Sequence, residues 1–367
     1  MRLSDLSSSK DNNYNLIRFI AAFAVFLNHC FPLTGQAEPF GAWLGMTAGT
    51  WAVDVFFITS GFLVTQSLMR SDSARIYLLS RTIRIYPALI VAVLFTTFVL
   101  GSALTRLPVT EYLRHPLSWS YVLKGSTLLG GIGMQLPGVF ENTPFPDAVN
   151  GSLWTLIYEV KMYLALLLIW ALTRRWQGPG RGGIFMAAPV LALVVAGLAY
   201  FFVRYFQGSA ESHLNRLSCM FFTGTAFYLL RRRIVLKNWL AAALAVLMAV
   251  SAFAGAKVFT VVYVLTLPYL LFWFAYIPSG KIRLFNRAGD YSYGIYIYAF
   301  PVQQTLVSLY PTMSAFTMML TGTLVILPLA ILSWHGVEKR ALALKPRFNL
   351  CARSSSSATA SHDQRPV

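Results

Sequence analysis

Along the chain, apolar residues gather into runs about as long as a bilayer is thick, and polar residues fill the short stretches between them. A spanning helix needs roughly 20 predominantly apolar residues. Runs near that length fall at roughly 14–33, 47–68, 83–101, 152–172, 184–203, 214–230, 237–254, 258–277, 290–310 and 313–333. They predict an all-α, polytopic transmembrane bundle of ten spans. A weaker apolar segment at 119–135 predicts a re-entrant or extra element within the one long connector, about 102–151. The Gly, Pro and aromatic content of that connector suits either a folded cap over a cavity or a solvated loop.

The flanks lack this pattern. Residues 1–13 (MRLSDLSSSKDNN) are polar and residues 351–367 form a Ser-rich, low-complexity tail, so both are predicted to be mobile. Between them, at 14–350, there is no internal repeat and no hydrophilic stretch large enough for a soluble domain. A single membrane domain is predicted.

Composition agrees, at 56% hydrophobic and 12% charged with a mean hydropathy of +0.59. A net charge of +17 would suit nucleic acid if the charges formed a patch. They do not. With a cytoplasmic N-terminus, 22 of the 30 lysines and arginines fall in the connectors of one side and six in those of the other, leaving Arg18 and Lys161 inside spans. This is the positive-inside bias, and it predicts a multi-pass membrane protein with both termini cytoplasmic and no nucleic-acid partner. Cys30, Cys219 and Cys351 sit at no metal or disulfide spacing. The first apolar run carries Arg18 and His29 and is followed by no small-residue cleavage site, so it reads as a retained span.

Ionisable groups at membrane depth are costly and default to function. Arg18 and His29 are eleven positions apart, which returns them to one helix face about 16 Å apart along the axis. Arg18 is read either as a snorkelling anchor or as part of a site. His29 is read as a hydrogen-bonded structural imidazole or as a base that takes a proton from a substrate hydroxyl. Cys30 points ~100° away from His29 and is read as a packing residue. Asp54, at a depth comparable to His29, is expected to pair with His29 or Arg18, as a catalytic helper or a structural ion pair. Ser152, Glu159 and Tyr163 line one face of their span, with Lys161 pointing away. Arg81 and Arg84, three apart ahead of Tyr86 and Pro87, form either a phosphate clamp or ordinary headgroup anchors.

Taken together, Arg18 and His29 with ten residues between them, VDVFFITSGFLV, RTIRIYP, SLWTLIYEVKMY, DYSYGIYIYAFPVQ and a closing SWHGVEKRALAL with Glu338 resemble the acyltransferase-3 integral membrane acyltransferases. The resemblance runs from about Tyr14 to Lys345. It implies O-acylation, most often acetylation, of an extracytoplasmic glycan such as exopolysaccharide, O-antigen or lipo-oligosaccharide. It implies acetyl-CoA or another acyl-CoA as donor substrate, with no tightly bound cofactor and no metal. Arg81 and Arg84, with Tyr86, Ser152 and Tyr163, would hold the donor. His29, with Asp54, Glu159 and Arg18, would perform transfer, directly or through an acyl-enzyme. Ala299 stands where many relatives carry a histidine, so that position is expected to be dispensable. The esterase-like domain of some relatives is not expected in a chain of this length. The alternative is a transporter or flippase of a glycan-linked lipid or acyl donor, in which the same groups relay protons.

Overall fold

The computed structural model describes residues 1–9, 11–129, 131, 133–175, 184–208 and 212–345. Lys10, Arg181, Arg347, Arg353, Arg365, Cys351 and the Ser-rich tail lie outside the described residues. Every predicted span is helical: α1 (Tyr14–Leu33), α2 (Ala48–Ser71), α3 (Ala74–Leu94), α5 (Trp154–Arg174), α6 (Ile184–Phe206), α7 (His213–Leu229), α8 (Asn238–Ser251), α9 (Ala256–Tyr276), α10 (Ser292–Leu309) and α11 (Ala315–Ser333), with α4 (Pro116–Thr127) in the long connector. Among the described residues, seven helices are long and apolar enough to cross a membrane. The remaining three, α7, α8 and α10, have 17, 14 and 18 residues. Lipid-facing leucines, valines and phenylalanines cover much of the exterior, including Leu168, Val195, Leu265 and Leu324. An apolar exterior of this kind is the bilayer counterpart of the polar shell of a soluble protein.

Apolar burial does not distinguish helix from lipid in a bilayer, so helices associate through close backbone approach and polar contacts. The α2–α7 pair shows both. A Cβ on Gly61 would lie 1.9 Å from the Phe221 carbonyl oxygen, and one on Gly224 would lie 2.0 Å from that of Ile58. The two glycines therefore let each helix press its backbone against the other, and Thr65 donates to Thr225 across the seam at 3.1 Å.

Contacts between connectors define two faces. On the first, Leu3 N–H donates to Ile234 O at 2.9 Å, Asn13 Nδ2 donates to Phe274 O and Pro278 O, and Gln66 Nε2 donates to Ser7 O. The N-terminal segment, the end of α2, and the α7–α8 and α9–α10 connectors thus share one basic face. This corrects the expectation of a mobile N-terminal segment: Leu3 is buried, and Met1, Leu3 and Ser4 are hydrogen-bonded to the 231–236 connector. On the opposite face the rings of Trp43 and Phe253 meet at 5.9 Å, and Gln304 Nε2 donates to Ala148 O.

The long connector returns into the bundle. Tyr112 donates to Thr97 O, Trp119 meets Phe98, Gly125 packs on Val93, and Tyr86 donates to Thr127 O. α4 therefore runs back along α3, as the 119–135 segment predicted. The connector is also tied to α10. Pro301 has no N–H, which leaves the Ile297 carbonyl one turn earlier without its helical donor. Asn150 Nδ2 fills that vacancy at 2.9 Å, fixing the entry to α5 against α10.

Candidate active site

A cavity of about 380 Å³ opens between α1, α2, α3, α5 and α10 toward the basic face. Its volume lies in the usual range for small-molecule sites. Arg18, Arg81, Arg84 and Lys345 line it, against only two carboxylates, Glu159 and Asp290. The surplus of cations in a partly desolvated space suits a multiply charged anion.

Two arginines are held by acids from the far end of the chain. Asp290, just before α10, receives Arg18 at 3.0 Å and Arg84 at 2.5 Å. Glu338 lies 3.4 Å from the other nitrogen of Arg84. Beyond α11 the helix continues through a π-turn, Trp334–Glu338, whose wider spacing lets Ser333 Oγ donate to Glu338 Oε1 five residues on, at 3.0 Å. That turn aims Glu338 inward. Arg81 differs from Arg84. It pairs with no carboxylate among the described residues, its Nε is buried without a partner, and its guanidinium lies 5.7 Å from the Tyr163 ring. An unsatisfied buried donor of this kind costs about 1–3 kcal/mol until something accepts from it. At the mouth, burial and then the Arg81 charge pull the Lys345 ammonium below the ordinary lysine range.

Along one wall Tyr163 and Ser60 both donate to Glu159, Ser60 at 3.2 Å. Tyr296 shares a 2.5 Å hydrogen bond with Thr155 Oγ1, and the Tyr296 and Phe56 rings, both lining the cavity, meet edge to face at 5.9 Å. One turn farther along α10, Phe300 stands edge to face on His29 at 5.3 Å. Nδ1 of His29 is buried and has no hydrogen-bond partner.

The structure therefore gathers Arg18, Arg81, Arg84, Glu159 and Tyr163 around one space, while His29 lies outside its lining, against Phe300 one turn along α10 from Tyr296. It does not gather the others. Asp54 meets neither His29 nor Arg18, a correction to the expected pairing: both of its oxygens are taken by Arg216, at 3.1 and 2.6 Å, and Tyr263 donates to it at 3.0 Å. Arg216, assigned by sequence to a connector, lies instead in the first turn of α7, buried, where only a carboxylate makes its charge tolerable. Tyr86 donates to Thr127 O, away from the cavity, and Ser152 contributes its carbonyl to Tyr296 at 2.6 Å rather than its hydroxyl to the space. Lys161 lies over the Tyr158 ring, consistent with its pointing away. Arg18 is an ion-paired wall residue rather than a free snorkelling anchor.

Asp290, Ser60, Tyr296 and Lys345 were not singled out as site residues. A lone carboxylate at the entrance to an apolar run, between basic connectors, is the signal that would have marked Asp290. Ser60 was legible as a hydroxyl beside Gly61 in mid-span.

Comparison with known proteins decides between catalysis and transport. A family model described as an acyltransferase domain matches residues 11–335. The chain belongs to this acyltransferase family. An O-acetyl transferase of Shigella phage Sf6 is 28% identical to it over an alignment covering 93% of this chain and 99% of that protein. Nodulation protein 10 of Rhizobium leguminosarum bv. viciae is 27% identical, covering 95% of this chain and 97% of that protein. No solved structure matches the chain significantly. The acyltransferase is thus a multi-pass membrane enzyme that acylates hydroxyl groups, and the polytopic all-helical fold and family assignment read from sequence agree with both findings.

Proposed function

We propose that the enzyme moves an acetyl or other short acyl group from acyl-CoA, bound from a cytoplasmic basic face of a bacterial inner membrane, to a hydroxyl of an extracytoplasmic glycan. The observation that carries this reading is the cavity with four cations against two carboxylates, walled on α10 by Tyr296, one turn from the Phe300 ring that meets His29. Arg81, with its unsatisfied Nε, and Lys345 would bind the donor phosphates, while Asp290 holds Arg18 and Arg84 in the wall. The thioester arm would follow the Glu159, Tyr163 and Ser60 wall past Phe56 and Tyr296.

The imidazole of His29, unengaged at Nδ1, would take the proton of the acceptor hydroxyl. The hydroxyl oxygen then bonds to the acyl carbon as the carbon–sulfur bond breaks. The proton passes from the imidazolium to the departing thiolate, and free CoA leaves by the basic face. Asp54 has no part in this scheme, since Arg216 and Tyr263 occupy its oxygens.

Purified protein in nanodiscs, given labelled acetyl-CoA and polysaccharide from cells lacking the protein, should yield O-acylated polysaccharide. Turnover supported by no acyl-CoA, or label recovered only on phospholipid, would refute the proposal.

A further inference from the structure

A second cavity, of about 370 Å³, lies on the opposite face, formed by the re-entrant α4 and the stretch that follows it. It belongs to neither the donor space nor the ion-pair clusters. We infer that this cavity is the acceptor subsite, holding one or two sugar units of the glycan one aromatic side chain away from His29; the inference rests on the glycan O-acyltransferase reading above.

Its lining is the first reason. Lys124, Gln135 and Asp147 offer donors and acceptors in the open part, and Phe145 offers a half-exposed ring. Sugars are recognised by that mixture, hydroxyls to polar side chains and C–H faces to an aromatic plane. The second reason is Tyr121. It is 1% exposed and lines the cavity, yet its hydroxyl is buried without a hydrogen-bond partner. A buried hydroxyl left unsatisfied is costly, and a sugar hydroxyl that reached it through a small displacement of the cavity wall would remove that cost.

The third reason is connection to the chemistry. Gln304 Nε2 donates to Phe145 O at 2.7 Å, fixing Phe145 to α10. The Phe145 and Phe300 rings meet edge to face at 6.1 Å, and Phe300 in turn meets His29 at 5.3 Å. Phe300 is itself wedged by Gly151, where a Cβ would lie 2.7 Å from the ring. One aromatic side chain thus separates the cavity wall from the imidazole. Finally, Asp147 and Phe140 hold positive φ, 61° and 60°, which non-glycine residues rarely adopt and which recurs at ligand clamps.

The test uses Tyr121→Phe and Asp147→Asn in full-length protein. Asparagine tolerates the left-handed backbone of position 147. Tyr121→Phe removes an unpaired hydroxyl, so it should leave thermal stability equal or higher. The probe is polysaccharide extracted from cells lacking the protein, with its binding measured directly and its KM and that of acetyl-CoA measured during transfer. Each variant is expected to weaken polysaccharide binding and raise its KM at least about tenfold, the loss of one good hydrogen bond, while acetyl-CoA binding stays unchanged. Polysaccharide binding equal to that of the wild type in both variants would overturn the inference, as would a wild type that does not bind it. Binding lost in the variants, with no label transferred by any protein, would instead uphold the cavity and defeat the acyl-CoA reading.

Discussion

Two buried clusters of charge sit within the same bundle, and their difference separates structure from function. The Asp54, Arg216 and Tyr263 cluster is closed: the carboxylate is fully buried, both its oxygens are used by the guanidinium, and Tyr263 donates to it as well. The Arg18, Arg84, Asp290 and Glu338 cluster is open: its arginines form a cavity wall, and Arg81 and Lys345 stand beside it, paired with no carboxylate among the described residues. A satisfied ion pair needs nothing further, whereas a surplus of cations facing a void creates a place for an anion. Sequence reading marks Asp54 as a candidate and passes over Asp290, whereas the geometry seats Asp290 in the cavity wall and Asp54 in the closed ion pair.

The comparison breaks most visibly at the closed cluster. Arg216→Met leaves a buried carboxylate without a charge partner, and removing one member of such a pair costs about 3–5 kcal/mol. Detergent-solubilised protein should melt several degrees lower, yet its acyl transfer per folded molecule should match the wild type. Adding Asp54→Leu should recover much of the loss, because replacing both partners by apolar groups is often nearly neutral. A selective loss of kcat in stably folded Arg216→Met would place this cluster in the chemistry.

At the open cluster the expected effect is on donor binding. Arg81→Ala should raise the KM for acetyl-CoA by about 10- to 100-fold, the worth of a charge-assisted hydrogen bond. Its melting temperature should not fall, because the native Nε has no partner to lose. Asp290→Asn should act through position, weakening donor binding by a smaller factor of about five as Arg18 and Arg84 lose their shared anchor. A merely structural Asp290 would change stability and leave the donor KM alone.

The smallest effect belongs to the mouth. Because Lys345 is held below the ordinary lysine range, it sheds its charge at a lower pH than a free lysine. The kcat/KM for acetyl-CoA should therefore decline by about threefold as pH rises, before free lysines titrate. Lys345→Arg should abolish that decline, since a guanidinium stays protonated.

Much of the fold was legible because a bilayer imposes one constraint, apolar length, that a single chain displays directly. The helical character of the ten apolar runs and the returning segment before Thr127 followed from it. The pairing of charges was not legible, for a physical reason. Arg18 lies 272 positions from Asp290 and Asp54 lies 162 from Arg216, so no local periodicity links them. Sequence supplied depth along each helix, and depth alone made His29 and Asp54 seem natural partners. Which face each helix turns inward was decided elsewhere, by Gly61 and Gly224 bringing α2 against α7 and so delivering Asp54 to Arg216. The docked N-terminus was missed for a similar reason, since its polar residues are satisfied by carbonyls of a connector more than 200 residues away.

The central claim is that donor binding and hydroxyl activation are separate along the membrane normal, with the cations at one end and His29 at the other. His29→Ala tests it most directly, by measuring equilibrium binding of labelled acetyl-CoA and single-turnover transfer to polysaccharide on the same preparation. The account predicts wild-type affinity for acetyl-CoA and transfer slowed about a thousandfold, within the range lost when a general base is removed. Transfer at the wild-type rate, or donor binding lost together with transfer, would contradict it.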